Sequence, residues 1–164
     1  PFGLHRARNE RFFLGEKIIS LRKTKMPSFS YVNFPCYVSL TFFIIQPKDI
    51  NLKYLTAILN SRIIYFWLYS KGKKEGNQLQ IDKAPILQIP VRIIQELEQQ
   101  PLIKLVDKML SLNKRLNEIE DKKTDERARI EEEIKKTDAE IDELVYQIYG
   151  ITEEEKKIIE ESFG

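Results

Sequence analysis

Residues 52–70 read LKYLTAILNSRIIYFWLYS, and the fold class turns on this stretch. Leu52, Leu55, Leu59, Ile63 and Phe66/Trp67 recur every three to four residues, which predicts one helix from about Leu52 to Ser70 with a single stripe facing a core. Asp49 or Asn51 stands where an N-cap is needed, and the phase of Trp67 places it in the core. Upstream, Lys17 to Arg22 is a short apolar run with basic ends. Val38 to Ile45 is rich in β-branched and aromatic residues, with Val38, Leu40, Phe42 and Ile44 on one face. Between them, Lys23 to Tyr37 carries Pro27, Ser28, Ser30, Asn33 and Pro35 and is expected to be an exposed loop. Downstream, Lys71 to Gln78 is expected to be a basic loop with Gly72 and Gly76, followed by short apolar runs at Leu79–Ile81 and Ile86–Val91. One clear helix among short strands gives too few crossovers for a repeating βαβ unit, so the class is α+β.

After Pro101 the period changes. Leu102, Leu105, Met109, Leu112, Leu116 and Ile119 step by three and four, a heptad seam. Asp121 to Arg129 is apolar only at Ala128, and then Ile130, Ile134, Ile141, Leu144/Val145 and Ile148 restore a stripe. An antiparallel hairpin turning near residues 120–125, with Thr124 capping its second helix, is the preferred reading. A continuous rod competes, because the 11-residue interval from Ile119 to Ile130 keeps helical phase. Gly150 fits the residue after a helix end, and Thr152-x-x-Glu155 is a capping box. The expected architecture is a small mixed sheet with a packed helix, then a long coiled-coil-like hairpin. Expected boundaries are 1–95, 96–150 and a short C-terminal helix in 151–164.

The charge balance divides at the same place. The total over 164 residues is +2, but residues 1–90 hold 14 Lys/Arg against 5 Asp/Glu (+9), and residues 91–164 hold 13 against 20 (−7). A compact +9 region suits a polyanion, and the acidic half does not. Of 17 aromatic residues only Tyr146, Tyr149 and Phe163 lie beyond residue 90. One cysteine, Cys36, and one histidine, His5, exclude a disulfide framework and cysteine-rich zinc modules; His5 is expected at the surface. No apolar run reaches the roughly 18 residues of a membrane span and none resembles a signal peptide, so a cytoplasmic chain is expected.

Two basic clusters stand out, Arg22/Lys23/Lys25 and Lys71/Lys73/Lys74, with Asn77, Gln78, Gln80 and Lys83 beside the second. Lysine and arginine neutralise phosphates, whereas Asn and Gln read base edges through paired donor and acceptor atoms. Ser30, Tyr31 and Asn33 in the first loop join them as candidate contacts. Catalytic groupings are weak. Asp82-Lys83 and Glu16-Lys17 lack the spacer of a nuclease Asp/Glu-x-Lys motif, and Asn33-Phe34-Pro35-Cys36-Tyr37 departs from Asn-Pro-Pro-Tyr at Phe34, in place of the first proline, and at Cys36, so an ordinary loop is expected there.

Taken in order, Glu16-Lys17-Ile18-Ile19 with Arg22, Val38-Ser39-Leu40-Thr41, the helix Leu52 to Ser61, the glycine-containing basic loop, Ile81-Asp82-Lys83 and Gln88-Ile89-Pro90-Val91 resemble the TaqI-like C-terminal specificity domain. That domain is the target-recognition part of adenine-specific DNA methyltransferases and of fused type II restriction–modification enzymes. The passage from Pro90 to Leu116 is also similar to type I specificity subunits, and the tail Ile141 to Thr152 to the ending of fused enzymes. The resemblance implies a non-catalytic target-recognition domain gripping double-stranded DNA. The chain is then a C-terminal fragment, without cofactor of its own, of a parent whose methyltransferase domain uses S-adenosylmethionine and to which an endonuclease can be fused. Partners are the duplex and the parent's other domains, with a helix-mediated dimer as a further expectation. An alternative from another class is a coiled-coil interaction module in which the basic region is incidental; an enzyme with its own active site ranks last.

Overall fold

A computed structural model describes residues 9–119 and 124–162; His5 lies outside them. A short 3-10 turn (Glu10–Phe12) leads into β1 (Lys17–Leu21), β2 (Lys23–Thr24), β3 (Phe29–Val32) and β4 (Phe42–Ile45). Next come α1 (Leu52–Asn60), α2 (Arg62–Lys71), β5 (Lys73–Glu75), β6 (Gln78–Gln80) and α3 (Lys83–Leu87). The chain continues with α4 (Glu96–Glu118), α5 (Asp125–Tyr149) and α6 (Glu153–Glu161). The strands form two antiparallel sheets, ordered β3-β1-β4 and β2-β6-β5. β1 and β2 are separated only by Arg22, whose carbonyl accepts from the Ile81 N–H, so the second sheet starts where the first ends.

Helix α1 occupies the centre. Tyr54 to Leu59 are all buried, because the first sheet covers one side and α4 the other. Ile18, Phe29, Tyr54 and Ile58 share one core with Leu68, Leu79 and Ile81, and with Leu102, Val106, Ile141 and Val145 of the helical hairpin. The layers run sheets, then α1 and α2, then α4 and α5. Lys108–Glu133 (2.8 Å) and Arg115–Glu126 (2.7 Å) pair rising with falling numbers, so α4 and α5 are antiparallel and the rod is ruled out. The expected turn falls on 120–123, outside the described residues. The heptad seam is consumed inside the chain, and Val106, off the predicted series, joins it. Thr124 accepts from the Arg127 N–H, Gly150 ends α5 at φ +68, and Thr152 with Glu155 closes the predicted capping box. Trp67 is half-buried against the core. Among the described residues no helix is long and apolar enough to cross a membrane.

Four local expectations are corrected. The strand predicted from Val38 begins only at Phe42: the Phe42 N–H donates to the Ser39 carbonyl and the Ser39 and Thr41 hydroxyls bond each other (2.6 Å), so 38–41 turn and Leu40 is exposed. The predicted loop from Lys23 to Tyr37 contains β2 and β3, strands too short to show a period. The single helix from Leu52 to Ser70 breaks at Ser61, which is extended (φ −68°, ψ 153°) and donates its hydroxyl to the Ile58 carbonyl. Before it, the Asn60 amide donates to the Phe29 carbonyl and its oxygen accepts the Phe29 N–H, stitching helix to sheet. Lys71 to Gln78, expected as a loop, is largely the β5–β6 hairpin.

Candidate nucleic-acid interface

The second sheet is built around two glycines. A Cβ at Gly72 would lie 2.6 Å from Leu79 Cδ1 and 2.9 Å from the Leu68 carbonyl oxygen, so only glycine lets the ribbon leave α2 this closely. Gly76, at φ +61, takes the first central position of the two-residue turn, where hairpins favour positive φ. The register then sorts the side chains. Lys23, Gln80 and Lys73 are cross-strand neighbours, and so are Glu75 and Gln78; strand alternation puts all five on one face. Thr24, Leu79 and Lys74 take the opposite face, where Leu79 is buried in the core and the Lys74 ammonium lies 3.7 Å from the Tyr69 ring centroid.

On the outer face Glu75 stands between two cations. Its Oε2 pairs with the Lys23 ammonium and its Oε1 with Lys73 at 3.3 Å. Lys23 first and Lys73 second hold the Glu75 carboxyl below the usual range, so it is ionised at neutral pH. The face is therefore polar and mixed, with Gln78 and Gln80 beside the charges and Asn77 at the turn. Toward the first sheet it continues into a shallow cleft of about 540 Å³ lined by Leu21, Arg22, Lys23, Leu40, Thr41, Gln80 and Asp82, whose carboxylate accepts from the Gln80 amide at 3.4 Å. Arg22 stacks its guanidinium 4.6 Å from the Phe43 ring centroid and donates to the Leu40 carbonyl (3.4 Å). Helix α4, which balances four acids against four bases, and the acidic helices α5 and α6 pack against α1 and α2, behind the sheets.

Lys25 is exposed in the turn after β2, Lys71 ends α2 beside the ribbon, and Lys83 opens α3, two residues beyond Ile81. The first-loop trio is divided. Ser30 is exposed on the face of β3 that points away from α1, opposite the face carrying Phe29 and Tyr31. Tyr31 donates its hydroxyl to Glu16 (2.6 Å), lies under the Lys53 ammonium, and has its phenol pushed up to about 12 by burial and by that hydrogen bond. Asn33 follows the end of β3 that pairs with Lys17, so about 16 Å of strand separates it from the second sheet. The neighbouring residues 34–37 form a flap: the buried Lys17 ammonium donates to the Phe34 and Gly15 carbonyls, and Tyr37 stacks on Phe13 and donates to Glu10. The Tyr37 aromatic is thus engaged as an ordinary loop residue. Residue-type reasoning passed over Glu75 because a lone acid in a basic run looks incidental; its placement between Lys23 and Lys73 needed the pairing of β2 with β6.

A second charged junction holds the layers together. Asp142 of α5, buried, accepts the Arg62 N–H at 2.7 Å and pairs with the Arg62 side chain at 3.3 Å. It caps α2 from 80 residues away, a task for which Ser61 makes no side-chain bond. Burial pushes its carboxyl up to about 6 despite the Arg62 hydrogen bond.

The type II methyltransferase M.HincII of Haemophilus influenzae is 36% identical over 44 residues, which is 27% of this chain and 9% of that protein. The type II methyltransferase M.HindII of Haemophilus influenzae (strain ATCC 51907 / DSM 11121 / KW20 / Rd) matches equally, over 8% of its length. The chain thus aligns with a small part of either relative. The TaqI-like C-terminal specificity domain matches residues 3–91, from the N-terminal segment through both sheets to the entry of α4. That match takes in more than half of the chain, which therefore belongs to the TaqI-like C-terminal specificity domain family.

Proposed function

We propose that this chain recognises a DNA target sequence as the non-catalytic specificity part of an adenine-specific restriction–modification methyltransferase. The observation that carries the reading is the outer face of β2-β6-β5, which gathers Lys23, Lys73, Gln78 and Gln80 on the side away from the acidic helices. The β5–β6 hairpin of this three-stranded sheet is a two-stranded ribbon of the kind that fits the major groove, with β2 along its side. Lys23, Lys73, Lys71, Lys25, Arg22 and Lys83 would meet phosphates and set register, whereas Lys74, on the opposite face over Tyr69, would not. Gln78, Gln80 and Asn77 would meet base edges, with Ser30 contributing from the neighbouring sheet. In the parent protein a separate domain would bind S-adenosylmethionine and take the flipped adenine, and an endonuclease can share the chain. The kinship with proteins named type II methyltransferases supports this division of labour and a cytoplasmic place of work.

Salt dependence tests the reading directly. If about six phosphates are neutralised, log affinity for duplex DNA falls against log salt with a slope near −5. A slope of zero, or no binding to any duplex at low salt, overturns it.

A further inference from the structure

The β5–β6 ribbon carries a group that a purely phosphate-gripping surface would exclude. Glu75 is directly across from Gln78 at the turn end of the ribbon, and it shares the outer face with Lys23, Lys73 and Gln80. A carboxylate facing phosphates is repelled. Facing a base edge it has a use, because it only accepts hydrogen bonds. In the major groove cytosine N4 and adenine N6 donate, whereas guanine O6 and thymine O4 accept. Lys23 and Lys73 contact separate oxygens of the carboxylate and leave about two of its roughly four lone-pair sites free. Glu75 and Gln78, as a directly paired position, stand about 5 Å apart at Cβ, so their flexible side chains can reach adjacent base pairs, which are stacked about 3.4 Å apart along a strand.

We infer that Glu75 is a specificity-determining residue whose carboxylate accepts the amino group of a cytosine or adenine, next to the base pair met by Gln78, and rejects guanine and thymine at that position. The inference rests on the proposed DNA-recognition function. Its test is selection of bound duplexes from a randomised pool by the whole chain and by Glu75→Gln, followed by titration of the selected duplex and its single-position variants. Glutamine keeps the shape but also donates, so discrimination against guanine and thymine falls roughly tenfold or more at one position and stays unchanged elsewhere. Glu75 is partly exposed and outside the core, so the variant keeps the fold, which its thermal midpoint verifies. Identical preferences for both proteins, or an equal change in affinity for all sequences, overturn the inference and leave DNA recognition standing. A wild-type chain that enriches no sequence and binds no duplex in any salt removes the function and the inference together.

Discussion

Glu75 and Asp142 are both carboxylates held by basic residues, and their acidities move in opposite directions. Glu75, on the ribbon's outer face, is held below the usual range by Lys23 and Lys73. Asp142, beneath α2, is raised to about 6 although Arg62 both donates to it and pairs with it. On the surface water stabilises the ion and the neighbouring charges add to that; in the interior lost hydration outweighs the partner. A carboxylate set against basic groups thus makes an adaptable polar face in one place and a structural joint in the other. The contrast also separates effects on stability from effects on binding.

The largest expected effect is at the joint. Asp142→Ala leaves the α2 N-terminus uncapped in a buried setting and is expected to lower unfolding stability by about 2 kcal/mol. Urea denaturation checks this, and DNA affinity of the folded protein should stay the same. Titration sharpens the same point. A carboxyl near 6 in the folded chain, against an ordinary 3.8, binds its proton more tightly folded than unfolded. Its cost is fully present above pH 6 and vanishes as pH falls through about 4. Relative to Asp142→Asn, which does not titrate, the wild type should therefore gain about 1–3 kcal/mol between pH 7 and pH 4. A flat difference across that range would mean that Arg62 fully offsets the burial.

On the ribbon the outcomes reverse. Lys71→Glu with Lys73→Glu should weaken binding to every duplex by roughly tenfold or more, with a shallower salt slope. Gln78→Ala should instead alter preference at one position by about 1–3 kcal/mol. If both variants act alike on all sequences, the assigned division between phosphate and base contacts is wrong. The smallest change is predicted for Lys23→Ala in the absence of DNA, where the unfolding midpoint should not move, since exposed pairs contribute little.

Sequence alone determined whatever depends on spacing along the chain. The charge split, the two-helix seam, the Thr124 cap, the Gly150 terminus and the Thr152/Glu155 capping box are local, and each is present in the structure. The strands of the second sheet were missed because two or three residues cannot display an alternation, and because their basic composition resembles a solvated loop. Ser61 escaped notice for the opposite reason: the apolar period runs through it unbroken, while the break is made by the Phe29 backbone on Asn60 and by Asp142 on the Arg62 N–H. Tertiary structure alone decided which charges face outward together. Lys23 and Gln80 meet across strands separated by more than fifty residues, and hydrogen-bond register, which no sequence period encodes at that distance, sets their common face.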